Sequence, residues 1–99
     1  MMRPMIHGAY EWDDAKATAN LAKHGLAFEA AVRAFEDPHG VTVEDVRQTY
    51  GERRINLFAH LDDAGGCAVV VVCHVVRQRI RIISARYANR RERARYFSE

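Results

Sequence analysis

The run from Cys67 to Val76, Cys-Ala-Val-Val-Val-Val-Cys-His-Val-Val, limits what this chain can fold into more than any other segment. It is apolar almost without interruption and far shorter than the roughly 20 residues a helix needs to cross a bilayer. Valine is stiff at χ1 and favours pleated backbone. A continuously apolar strand belongs inside a sheet rather than at its edge. The neighbouring segments fit that placement. From Arg53 to Leu61 the pattern alternates, with Ile55, Leu57, Ala59 and Leu61 on one face and Arg54, Asn56, Phe58 and His60 on the other. Asp62-Asp63-Ala64-Gly65-Gly66 is turn chemistry. Arg79 to Tyr87 reads as the next strand after a bend at Arg77-Gln78, with Arg79 and Arg81 opposite Ile80 and Ile82. Arg86 has the parity of Ile80 and Ile82. It reaches the charged face only if the strand bulges or ends before it.

Before this sheet the pattern is helical. Ala9 to Trp12 predicts a short edge strand, and Asp13 or Asp14 then supplies an N-cap oxygen for a helix running to about His24. Gly25 suits the left-handed position that ends it. Phe28, Ala31, Val32 and Phe35 recur at helical spacing, with Ala27 offering no capping oxygen and Pro38 stopping the element. Gly40 to Val46 is a further strand candidate. Asn89 to Glu92 resembles a capping box opening a last helix, Arg90 to Phe97. The expected architecture is α+β: an N-terminal strand, two helices, an antiparallel sheet of three to four strands and a C-terminal helix, with helices on one sheet face. At 99 residues and 48% hydrophobic, residues 1–99 form one domain, with residues 1–8 expected as a flexible extension.

Charge is distributed unevenly. Net charge is +2, yet residues 1–50 carry five cations against eight acids and residues 51–99 carry ten against five. A basic second half suits a nucleic acid or an acidic protein that covers it, and also describes a solvated charged face. Cys67 and Cys73 on one strand lie roughly 20 Å apart, too far to bridge. With no C-x-x-C or H-x3–5-H spacing, neither a structural zinc site nor any other metal or cofactor is expected. No apolar h-region or membrane-length run occurs, so a soluble, cytoplasmic chain without membrane contact is expected. Ser84 has no visible base partner. His74 inside the apolar run reads as a core histidine, and Trp12 as a core anchor.

The chemistry-bearing residues are cationic. Lys16, Asn20, Lys23 and His24 fall on neighbouring parts of one helix face, which equally describes the solvent side of an amphipathic helix. Arg79 and Arg81, with Arg54 and His60 one or two strands away, make a row suited to phosphate, because guanidinium presents a planar fork to its oxygens. Such a row fits passive RNA binding as well as cleavage.

Two separated motifs then carry a resemblance. E-W-D-x-x-K-A-x-x-N-x-x-K-H-G followed by F-E-x-A, Glu11 to Ala31, resembles the N-terminal signature of BrnT toxins. R-I-R-I-I-S-A-R-x-A with a following E-R, Arg79 to Arg93, resembles their C-terminal signature. Ala59 stands where family members usually have Gly. The resemblance implies a RelE-like fold and a growth-inhibiting endoribonuclease of a type II toxin–antitoxin pair. It implies metal-independent attack of a ribose 2′-OH on the adjacent phosphate, with His24, Lys23, Arg54, Arg81 and Arg86 as the catalytic set. His24 is the expected proton-transfer group, with Glu11 in reserve as base. Lys16, Asn20, Arg77 and Arg79 are expected to contact RNA. The implied partner is a BrnA-like ribbon-helix-helix antitoxin, two toxins with two antitoxins, and DNA is met only through it. The rival readings are a non-catalytic nucleic-acid-binding or regulatory module, and a structural partner whose basic face receives an acidic protein.

Overall fold

In chain order the elements are β1 (Pro4–His7), β2 (Tyr10–Asp13), α1 (Asp14–His24), α2 (Phe28–Ala34), β3 (Val41–Asp45), β4 (Arg54–Asp63), β5 (Gly66–Val76), β6 (Ile80–Tyr87) and α3 (Arg90–Ser98). The structure, a computed structural model, describes residues 4–46, 51–63 and 66–98. Ala64 and Gly65 of the expected turn, and residues 1–3 of the expected extension, lie outside the described residues. One mixed sheet holds six strands in the order β1-β2-β6-β5-β4-β3. The α+β class and the antiparallel β3 to β6 follow the sequence pattern. Three expectations change.

First, Pro4–His7 is not a flexible extension. It turns at Gly8, φ +63°, and pairs antiparallel with β2 from Pro4↔Asp13 to His7↔Tyr10. Second, the N-terminal strand is not at the sheet's edge: β2 lies between β1 and β6, pairing parallel with β6 at Tyr10↔Ile80 and Glu11↔Arg81, and the sheet has six strands rather than three to four. Third, the helices do not share one face. α1 and α2 cover one side, while α3 lies on the other, where Tyr96 packs against the group formed by Phe58, Val69, Val71 and Ala88.

This two-sided cover explains the uninterrupted valines of β5. Val70 and Val72, both 0% exposed, face α1 and α2 with Leu57, Ala59, Leu61, Ile82 and Ala85. Val69 and Val71 face α3. Trp12, also in the helix-side core, meets Phe28 edge-on with ring centres 5.8 Å apart. Each such large side chain contributes roughly 1.5–3 kcal/mol or more by leaving water. His74 is the core histidine expected. It is buried, lies 3.1 Å from the Val72 carbonyl oxygen through Nδ1, and stands edge-on to Phe35.

The helix ends follow their local chemistry. The Asp13 carboxylate accepts from the Lys16 N–H at 3.1 Å, and Gly25, φ +70°, closes α1 by donating to the Leu21 carbonyl. α2 starts at Ala27 without a side-chain cap and is held by burying Phe28, Ala31 and Ala34. At α3 the capping box is complete: Glu92 N–H donates to Asn89 Oδ1 and Asn89 N–H to Glu92 Oε1, both at 2.9 Å. α3 itself has no buried residue.

Asn20 corrects the reading of α1. It does not share a solvent face with Lys16 and Lys23; it is 8% exposed. Its Nδ2 donates to the carbonyls of Leu26 and Ala85, and its Oδ1 accepts from the Ala85 N–H. β2 pairs with β6 only as far as Arg81. Beyond that point the Asn20 amide stands in for a neighbouring strand and satisfies Ala85 in both directions.

Candidate functional site

The irregular point of β6 builds the site. In the β5–β6 ladder Cys73 pairs with Ser84 but His74 pairs with Ile82, so Ile83 is an extra residue in a β-bulge. Parity flips there. Ile82 and Ala85, three apart, both enter the helix-side core. Arg81 before the bulge and Arg86 after it therefore face the same, open side of the sheet. The condition the sequence left open for Arg86 is met by this one residue.

On that side Arg54 and Asn56 of β4, Cys73 of β5, Ser84 and Arg86 of β6 and Asp45 of β3 line a cavity of about 150 Å³. Glutamates hold the guanidinium groups around it. Glu52 meets Arg77 Nη2 at 2.5 Å and Arg54 Nε at 3.8 Å. Glu11 takes Arg81 Nη1 at 2.9 Å, an outcome of the parallel β2–β6 pairing that sets the two side by side. Glu92 takes both ends of Arg86, at 2.7 and 2.8 Å. The Arg77 hydrogen bond is the chief cause that holds the Glu52 carboxyl below its ordinary range, against a smaller opposing effect of burial. The charges of Arg77, Arg54 and Arg81 act in the same direction as that bond. Arg54, Arg77 and Arg81 thus act electrostatically on one carboxylate.

These ion pairs are half open to water, with Arg54 and Arg81 side chains 22% and 23% exposed. Pairs near a surface are worth about 0.2–1 kcal/mol each. A phosphate that receives hydrogen bonds from charged donors, about 1.5–3 kcal/mol apiece, competes well with them. The arrangement can therefore exchange carboxylate for phosphodiester without unfolding anything.

The other expected residues lie elsewhere. Lys16 and Lys23 are exposed on α1, and neither they nor His24 line the cavity. His24 follows Asn20 by four residues, so it lies on the same stripe one turn farther along. Asn20 ties that stripe to Ala85, next to Arg86, and His24 itself is half-buried. Arg79 precedes β6 and donates from Nε to the Gly8 carbonyl at 3.2 Å. His60 has the open-face parity of Arg54 but sits at the far end of β4. Asn20, with every polar side-chain atom engaged inside, is not available to RNA.

Sequence reasoning passed over Glu52, Glu92, Asp45, Asn56, Cys73 and Ser84. Asn56 had a signal, its alternation with Arg54. Glu92 had one too, its capping-box spacing, but nothing local says that the same carboxylate also clamps Arg86.

A family model described as the ribonuclease toxin BrnT of a type II toxin–antitoxin system matches residues 12–92. The chain belongs to this family. That span contains the whole arginine cavity and its glutamate partners apart from Glu11. Membership makes the chain a ribonuclease toxin and implies an antitoxin partner. A comparison with curated proteins finds no match. Among the described residues no helix is long and apolar enough to cross a membrane.

Proposed function

We propose that this BrnT-family toxin is a metal-independent endoribonuclease whose phosphate site is the arginine cavity of the open sheet face. The observation that carries the reading is the convergence of Arg54 and Arg86 on one cavity, with Arg81 and Arg77 beside it. Guanidinium groups supply the positive charge that a metal supplies in other nucleases. RNA enters with its phosphodiester replacing Glu52 and Glu92 on the arginines. A base takes the proton of the ribose 2′-OH, the oxygen attacks the adjacent phosphorus, and the 5′ oxygen leaves as it gains a proton. The products are a 2′,3′-cyclic phosphate and a 5′-hydroxyl. The arginines stabilise the extra charge of the pentavalent state, a role that positioned donors fill best where water is scarce. His24, with Lys23 beside it in sequence, is the proton-transfer group, since imidazole can both take and give a proton. Glu11 is the second candidate base.

In the cell, such cleavage inhibits growth. Neutralisation falls to a BrnA-like ribbon-helix-helix antitoxin, in an assembly of two toxins and two antitoxins that meets DNA through the antitoxin. The open face supports this reading, since an acidic or amphipathic segment laid across it offers charge pairing and apolar burial together. The domain is single over residues 1–99 and works in the cytoplasm.

The test is incubation of purified protein with RNA in EDTA. Cleavage leaving 2′,3′-cyclic phosphate ends is expected. Intact RNA in EDTA, with cleavage restored by a divalent ion, overturns the mechanism, and intact RNA under all conditions overturns the enzymatic reading of this chain. Co-expression with the adjacent antitoxin should restore growth and suppress the cleavage.

A further inference from the structure

At the end of β4 away from the arginine cavity, three side chains of different donor chemistry meet. His60 and Asp62 are two apart on one strand and so share a face. Cys67 is the cross-strand partner of Asp62 and joins them on it. The Cys67 thiol donates to Asp62 Oδ1 at 3.1 Å, and His60 Nε2 lies 3.5 Å from the same oxygen. One ligand atom from each of the three falls within 4.8 Å of the others. Bonds of about 2.0–2.3 Å in a tetrahedron place ligand atoms roughly 3.3–3.8 Å apart, so the cluster needs only small rotamer adjustments to close on an ion.

We propose that His60, Asp62 and Cys67 form a surface Zn2+ site that clips β4 to β5 beside their connecting turn. The donor set selects the ion. Thiolate and imidazole favour zinc over magnesium or calcium, which prefer cages of oxygen. Asp62 is 78% exposed at its side chain and His60 35%, so the ion has an entry path and water can take the fourth position. The frame is held before the ion arrives. The antiparallel ladder runs through Asp62↔Cys67, and the His60 N–H donates to Asp37 Oδ2 at 2.8 Å. Asp37 in turn accepts the Tyr96 hydroxyl, which pins α3 next to the site.

This zinc is not a catalyst for RNA. His60 lies six positions along β4 from Arg54, about 20 Å of extended chain. Its role is to stabilise the hairpin end of the sheet. The sequence expectation of no zinc rested on linear spacing. A cross-strand pair escapes that rule, because Asp62 and Cys67 become neighbours only when the ladder forms.

The test uses the full chain, stripped with EDTA and then freed of it. Free Zn2+ at about five times its Kd should raise Tm by about 4–8 °C. Co2+ in its place should give a thiolate-to-metal charge-transfer band in the near ultraviolet. Cys67→Ser and His60→Gln should abolish both responses, and Cys73→Ser should keep both. An unchanged Tm without a Co2+ band overturns the site, as does a band that survives Cys67→Ser or vanishes in Cys73→Ser. RNA cleavage is scored separately in EDTA, so the metal site and the nuclease mechanism fail independently.

Discussion

The two sides of strands β4, β5 and β6 solve opposite problems with the same backbone. On the helix side Leu57, Ala59, Val70, Val72, Ile82 and Ala85 are packed dry, and the buried polar residues among those described, Asn20 and His74, make their hydrogen bonds to backbone carbonyl and N–H groups inside the protein. On the open side Arg54, Arg77, Arg81 and Arg86 are held by Glu52, Glu11 and Glu92 at the edge of water. Buried polar groups are costly to leave unmet and so are committed for good, whereas half-exposed ion pairs are cheap to break. The helix side makes a fold; the open side keeps its charges within reach of water.

The largest effect tests whether the open side completes its chemistry with a group from the helix side. His24→Ala should lower the RNA cleavage rate by about 10² to 10⁴ with Tm nearly unchanged, because its backbone position ends a helix rather than filling the core. Full activity in single-turnover assays would show that proton transfer comes from elsewhere, Glu11 first among the alternatives.

Stability should divide the two sides next. Trp12→Ala is expected to cost about 3–5 kcal/mol in urea unfolding, while Arg86→Ala, losing its pair with Glu92, should cost no more than about 1 kcal/mol. Equal losses in the two variants break the comparison. Asn20→Ala should fall between, at about 1–3 kcal/mol, because the Ala85 N–H and carbonyl lose their partner. Its RNA affinity, measured under conditions where it stays folded, should equal wild type. Weaker binding there would return Asn20 to the RNA surface.

His74 gives the helix side a pH signature. Burial is the main cause that lowers its pKa from 6.5, partly offset by the hydrogen bond to Val72. The unfolded chain then binds the proton more readily than the folded one, so stability is fully present above pH 6.5 and declines as pH falls below it. Urea midpoints on either side of that value should converge in His74→Gln relative to wild type. An undiminished pH slope in the variant would assign the effect to another group.

The smallest effect is electrostatic. Arg81→Ala should reduce the salt dependence of RNA affinity by a slope of about 0.7, the value for one phosphate contact on a single strand. A large fall in Tm with an unchanged slope would make Arg81 a structural partner of Glu11 and no more.

Local chemistry reached far into this molecule. The caps at Asp13, Gly25 and Asn89–Glu92, the alternation along Arg54 to Leu61, the core roles of Trp12 and His74 and the central position of the valine run all depend on neighbours within a few residues, so the linear order contains them. The family resemblance too was carried by residues readable in a line. Other features depend on which strand lies beside which. The parallel pairing of β2 with β6 sets Glu11 against Arg81. The extra residue Ile83 turns Arg86 to the side of Arg81, and the bare edge of β6 draws Asn20 inward. Register and bulges are decided by the whole sheet burying its apolar face while keeping its backbone hydrogen bonds, a balance no short window of sequence contains. The sequence by itself determined the elements and the kind of charge they carry. Only the tertiary structure decided which of those charges meet.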